Sequence, residues 1–458
     1  MAKIGILPLG RPTFDVPFAE EMLAGMLANL DASGHEIIGP RGLLFDADAT
    51  LTAIGTLKAA SPDRVLFLQV TFTDASMAVE AANAFPDTPL AIWAVPEPRL
   101  GGRLRLNAFC GLNLASHALG LNHRSFGWLY GPPDSAELAA LLDGGRMAGR
   151  LDPVKTEARS AAADAAIARL DGRRIGRIGE HPIGFDTCAY DGPDLKSLTG
   201  ITVDALSLEQ LFDTARAADG TAVARVRDQA ATLDGIEDVN QDELDKSLRL
   251  KVALDTIRAD GGYDAFAIRC WPETFTEYGG AVCGPVAMLG EARVPCACEA
   301  DVYGAVSQMM LQNAAEAPVF LVDLVDMDLG DDTGVVWHCG QAPISMRDPD
   351  IPAEATIHTN RKMPLLYEFP LKPGRVTFLR LSQAHGQVRL VISGGEMLKR
   401  DMAFTGTSGV VRFDRDAGRT LQDVIDSGLE HHMALAYGDH RDTLRAMAGA
   451  LNIPVLEI

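Results

Sequence analysis

The sequence predicts an α/β protein: two doubly wound, parallel-sheet units followed by an antiparallel, β-rich module. Three observations carry that reading. Short apolar runs alternate with stretches of helical periodicity as far as residue 317. The alanine-rich stretch SAAADAAIARL ends in Asp171-Gly172, and a new strand opens at Arg174. Beyond Pro318 the pattern changes, and RVTFLRL (Arg375 to Leu381) and QVRLVI (Gln387 to Ile392) alternate with period two, as half-buried antiparallel strands do. The expected boundaries are 1–170, 171–317 and 318–458.

In chain order, Lys3 to Leu9 reads as the first strand and Phe18 to Leu30 as a helix. RVLFLQV (Arg64 to Val70) and PLAIWAV (Pro89 to Val95) are further strands, with helices at Ala49 to Ala60 and Ser76 to Ala84. Pro132 to Leu170 is expected to be mostly helical. In the second unit the strands are Arg174 to Glu180, Ile201 to Asp204 and Ala265 to Cys270. The acidic stretch DGIEDVNQDELD reads as the solvated start of a helix continuing through Leu248 to Ile257. In the third unit Val319 to Val325 is apolar except for Asp323, and VVWH ends a short strand at His338. Pro364, Pro370 and Pro373 make Arg361 to Gly374 read as loop. A helix from Arg441 to Leu451 and a strand from Ile453 to Ile458 close the chain.

Composition excludes several classes. The formal net charge is −21, from 41 basic and 62 acidic residues, so no basic nucleic-acid surface is expected. MAKIGILPLG lacks a charged segment followed by a long apolar one, and no apolar run is long enough to span a bilayer. A cytoplasmic protein without membrane contact is expected. The cysteine pair Cys296-x-Cys298 has no second pair at zinc-finger spacing, so the seven cysteines read as buried, reduced thiols. No G-x-G-x-x-G turn, Walker sequence, H-E-x-x-H or G-x-S-x-G elbow occurs.

The chemistry concentrates between Ala265 and Val306. Two successive strands there each end in carboxylates: Glu273 and Glu277 after the first, Glu299 and Asp301 after the second. Neighbouring parallel strands would set these acids side by side at the edge where α/β sheets bind ligands. Like charges held that close need a cation or a shared proton. His338 at a strand end and the pair His431-His432 are the sharpest histidine candidates, and oxygen with imidazole donors suits Mn²⁺, Fe²⁺ or Co²⁺ better than Mg²⁺ or Ca²⁺.

CWPE (Cys270 to Glu273), CEAD (Cys298 to Asp301), WHCG (Trp337 to Gly340) and GLEHH (Gly428 to His432), in this order, resemble the family of L-fucose and L-arabinose isomerases. The resemblance is strongest over Ala265 to Val306 and the last thirty or so residues. It implies two Rossmann-like doubly wound domains followed by a β-rich, antiparallel barrel-like C-terminal domain. It also implies a homo-oligomer, trimer or hexamer, that interconverts an aldose and a ketose through an enediol with a divalent metal, Mn²⁺. Carried over position by position, Glu273 matches the first metal-binding carboxylate, with Glu277 as an alternative. Asp301 matches the second in the fucose branch and Glu299 in the arabinose branch; His338 and His432 match histidine ligands. Glu273 and Asp301 would flank the reacting carbons as acid and base. CWPETFTEYGG matches neither branch, so a modified or deoxy sugar is expected as substrate. A sugar-binding protein without catalysis, or an epimerase or lyase on the same scaffold, are the alternative readings.

Overall fold

A computed structural model describes residues 1–99 and 101–458. Its first sheet is parallel and contains β1 (Lys3–Leu9), β2 (Glu36–Ile38), β3 (Arg64–Gln69), β4 (Leu90–Ala94) and β5 (Phe126–Tyr130), in the order β2-β1-β3-β4-β5. β1, β3, β4 and β5 are buried almost throughout, which is why the first three read as continuous apolar runs rather than alternating ones. β2 and β5 were not evident in the sequence. β2 has only three half-buried or exposed residues, and β5 (FGWLY) follows a polar turn.

The second sheet is also parallel, with β6 (Arg174–Ile178), β7 (Thr202–Leu206), β8 (Ala265–Ile268) and β9 (Cys296–Ala297) in the order β7-β6-β8-β9. The helix expected after the acidic stretch spans Gln241–Gly261, and Asn240 caps it by accepting from the Asp242 and Glu243 amides.

The third sheet is mixed and nine-stranded: β10 (Phe320–Asp328), β11 (Thr333–His338), β12 (Glu354–Thr356), β13 (Leu366–Pro370), β14 (Gly374–Ser382), β15 (Arg389–Met397), β16 (Thr407–Phe413), β17 (His432–Tyr437) and β18 (Val455–Glu457). Six of its strands close a ring of antiparallel pairings, β16-β11-β10-β17-β14-β15, with β15 returning to β16. Closure satisfies backbone groups that an open edge would leave unpaired.

Two expectations fail. Residues 132–170 hold only two short helices, Leu138–Leu142 and Ala161–Ala168; Gly144, Gly145, Gly149 and Pro153 interrupt the rest. The segment expected to be loop contains β13, which meets β16 only at Phe369 and Pro370 and so tolerates the missing proline donor.

The apolar cores cross the expected boundaries. One joins the first sheet to Val391, Leu421 and Ile458; another joins Ala265 and Ala297 of the second sheet to Leu379 and Ala434 of the ring. The carboxyl ends of β8 and β9 are thereby set against the ring. No helix among the described residues is long and apolar enough to cross a membrane.

Candidate active site

Three neighbouring ring strands deliver three polar side chains. Asp323 interrupts the apolar run of β10 and lies directly opposite His432 on β17 and Trp337 on β11; His338 follows at the end of β11. Asp323, His338 and His432 are all buried, and one ligand atom from each falls within 4.8 Å of the others. His432 Nε2 is 3.4 Å from Asp323 Oδ1, and the rings of His338 and His432 stack with centroids 5.6 Å apart.

The second sheet supplies Glu299 and Asp301. β9 is only two residues long and runs into a turn in which Glu299 (φ 59°) and Ala300 (φ 54°) both adopt left-handed backbone. Two consecutive non-glycine residues in that region are strained, and such strain persists where the surroundings over-determine the conformation. The turn separates the two acids. Glu299 lines a pocket of about 760 Å³ together with Asp323, His338 and His431. Its oxygens are engaged by Trp271 Nε1 at 2.9 Å and His431 Nε2 at 2.8 Å. Burial alone would raise its pKa, but the His431 hydrogen bond and the His431 charge hold it below the ordinary carboxylate value.

Asp301 turns away from the pocket and is fully buried. Its Oδ1 accepts the Gly304 amide at 2.8 Å as the cap of helix Val302–Ala315. Arg380, also fully buried, forks onto both of its oxygens, and His432 Nδ1 lies 2.9 Å from Oδ2. Against the burial that would raise it, Arg380 and His432 hold the Asp301 carboxyl far below its usual range. An ionised Asp301 requires His432 to carry its proton on Nδ1, which leaves the Nε2 lone pair directed at Asp323. Burial and the adjacent His431 lower the pKa of His432, so the ring is neutral.

His338 Nδ1 has two neighbours in Cys339: the backbone amide at 2.9 Å and the sulfur at 3.3 Å. The Cys339 amide donates to Nδ1; freeing the Nε2 lone pair for a cation requires the ring proton to move to Nδ1, toward the sulfur. That Nε2, together with Asp323 Oδ1, is buried without a hydrogen-bond partner. Two orphaned polar atoms in one buried cluster fit a missing cation, because leaving such groups unpaired costs about 1–3 kcal/mol each.

Of the five residues expected to bind metal, the structure gathers Glu299, His338 and His432, and sets two apart. Glu273 is absent from both metal-competent clusters of the described residues; its carboxylate is taken by Arg269, at 2.7 and 2.8 Å, four residues back on the turn after β8. Asp301 is held by Arg380, so its lone pairs are committed to a guanidinium. The alternative Glu277 is exposed. Asp323 is the member the sequence reading passed over, although its signal was present as the lone acid in FLVDLV.

Comparisons with known proteins find relatives along the whole chain. Residues 5–140 match the family described as fucose/sulfoquinovose isomerase, N-terminal domain, and residues 367–458 match L-fucose isomerase, C-terminal domain. A sulfoquinovose isomerase of Priestia aryabhattai is 30% identical over 450 residues, covering 98% of this chain and 97% of the relative. Proteins of the same name from Alkalicoccus urumqiensis and Clostridium sp. (strain MSTE9) are 30% and 29% identical, over 100% and 98% of both chains.

Proposed function

Because the chain belongs to the fucose/sulfoquinovose isomerase family and is an aldose–ketose isomerase, we propose that Asp323, His338 and His432 hold its divalent cation and that Glu299 moves the proton. The observation that carries this reading is the pair of buried, unpartnered atoms, Asp323 Oδ1 and His338 Nε2, beside the oriented Nε2 of His432. Two imidazoles and one carboxylate suit Mn²⁺ and leave coordination positions for substrate oxygens. When bound, the cation supplies positive charge that polarises the sugar carbonyl.

The chain's own residues do the rest. Glu299 is ionised at rest and faces the pocket, so it can accept the proton of the C2–H bond of an open-chain aldose. The C2 hydroxyl proton passes to the carbonyl oxygen, which leaves an enediolate with its negative charge on the C2 oxygen. Glu299 then returns its proton to C1 as the C2–oxygen bond becomes the ketose carbonyl. His431 Nε2 steadies the carboxylate through each change of charge, and Trp271 Nε1 fixes its plane. Leu104, Phe14 and Phe72 line the same pocket and exclude water from the reacting carbons.

The relatives' name supports a sulfonated hexose as substrate. The same reading includes a cytoplasmic homo-oligomer and two Rossmann-like units divided near residues 170 and 317.

Metal analysis of purified protein with an isomerase assay provides the test. Wild type should carry about one divalent cation per chain and isomerise the sulfonated aldose. D323N should lose both properties; E299Q should keep the cation and lose roughly 10²–10⁴-fold in kcat. A D323N protein that retains metal and turnover rules out the assignment.

A further inference from the structure

We propose that Arg361 recognises an anionic substituent, a sulfonate, at the end of the sugar remote from its carbonyl, and so sets the substrate class of this isomerase. The inference rests on the isomerase reading of the same pocket and adds to it the group that selects the substrate.

Arg361 lines the pocket that also contains Glu299, Asp323 and His431. Other arginines around the site have their charges answered. Arg11 meets Asp74 at 2.6 Å, Arg269 meets Glu273 at 2.7 Å, and Arg380 meets Asp301. No carboxylate of the described residues forms an ion pair with Arg361. Burial and the nearby Arg11 cation disfavour its protonated form, against the neighbouring thiols of Cys270, Cys339 and Cys283. A half-buried guanidinium in a ligand pocket, with a second guanidinium nearby and no carboxylate within ion-pairing distance, can take the anionic group of a ligand.

Its position is fixed rather than adaptable. The Arg361 Cζ lies 5.1 Å from the ring centroid of Trp271 and 5.4 Å from that of Phe275. The turn that carries it is closed on His358: the Arg361 amide donates to the His358 carbonyl at 3.2 Å, and the Asn360 amide donates to the His358 ring at 3.2 Å. The Phe275 ring meets His358 edge-on. Trp271 therefore performs two tasks. Its indole nitrogen orients Glu299, and its ring face supports Arg361, which ties the anion end of a substrate to the carbons where the proton moves. A planar, always-charged fork that stacks on aromatic rings suits a tetrahedral oxyanion. The relatives' activity on a sulfonated sugar selects sulfonate among such anions.

The test compares wild type, R361K and R361Q, all supplied with Mn²⁺, on three hexoses that differ only at C6: sulfonate, phosphate and hydroxyl. The readout is the ratio of kcat/KM between anionic and neutral sugars, with calorimetric binding of the sulfonated sugar as a second measurement. Wild type should prefer the sulfonate. R361Q should lower the sulfonate-to-hydroxyl ratio by roughly 10- to 100-fold and weaken sulfonate binding to match, with R361K between the two. An unchanged ratio in R361Q overturns the proposal, and a wild-type preference for phosphate overturns the sulfonate assignment. Turnover of the hydroxyl sugar alone overturns this inference and leaves the isomerase reading standing. Arg361-dependent binding of the sulfonated sugar without any turnover does the reverse.

Discussion

At the scale of single residues, the site depends on what each carboxylate is bonded to. Asp301 and Glu299 are two positions apart, yet one faces a buried arginine and the other a pocket. Asp301 acts through His432: as an ionised acceptor it keeps the imidazole proton on Nδ1. Replacing it with asparagine offers an N–H where a lone pair stood, which favours the opposite tautomer and removes the Nε2 lone pair from the cluster. D301N should therefore weaken Mn²⁺ binding by about 10- to 100-fold, read by titration calorimetry. It also removes the carboxylate onto which Arg380 forks and leaves that buried charge to Thr187's carbonyl and to Glu430 at 3.9 Å, so a loss of about 3 kcal/mol in stability should accompany it. Cation affinity equal to wild type in D301N would show that Asp301 is only a structural partner of Arg380. These commitments explain which site residues could be read from sequence. Residue type and spacing singled out Glu299, Asp301, His338 and His432, but nothing in the sequence reports that the Arg269 side chain closes on Glu273, or that Arg380, 79 positions away, closes on Asp301.

At the scale of elements, the turn from β9 into the helix Val302–Ala315 decides the geometry. Gly304 sits in the first turn of that helix, where a Cβ would lie 2.5 Å from Asp301 Oδ2 and 3.2 Å from Arg380 Nη1. Alanine would gain about 1 kcal/mol in helix propensity. Displacing a buried ion pair costs more, about 1–3 kcal/mol by the usual penalty of overpacking. G304A should thus destabilise the protein by a net of up to about 2 kcal/mol in chemical denaturation and lower cation affinity, whereas stabilisation would mean that the pair moves freely. Elements were legible where one physical signal dominated. Apolar runs gave β1, β3, β4 and β8, and period-two alternation gave β14 and β15. β2 is too short to carry a pattern, and β13 is a strand because β16 lies beside it, which no local preference encodes. The closed ring was expected from resemblance alone, since pairing partners such as β15 with β16 are a property of the assembled sheet.

At the scale of the whole molecule, the seam between the first sheet and the ring makes stability depend on pH. Asp326 of β10 accepts Tyr130's hydroxyl at 2.6 Å and Arg99 Nε at 2.6 Å, which joins the end of β5 and its neighbouring loop to the ring. Beside it, Glu97 accepts the backbone amides of Arg105, Leu106 and Asn107. Burial raises the Glu97 pKa to about 7, against the pull of those amides, and the Asp326 charge pushes the same way. Asp326 is itself raised, by burial first. A carboxyl whose folded pKa exceeds its unfolded one binds its proton more tightly in the native state. Its contribution is complete below the unfolded value of 4.5 and is lost as pH rises through about 7. For Glu97 the loss amounts to roughly 3 kcal/mol. Thermal or urea denaturation between pH 5 and pH 8 should therefore show wild-type stability falling across this window. E97Q, which cannot ionise, should show a flatter profile with its own offset from the altered amide contacts. The decisive quantity is the slope and not the offset: a variant that loses stability with pH as steeply as wild type would place the titrating group elsewhere. The same seam borders the substrate pocket through Leu104 and Asn107, so loosening of the Glu97 loop at high pH should first appear as a rising KM, before global unfolding is detectable.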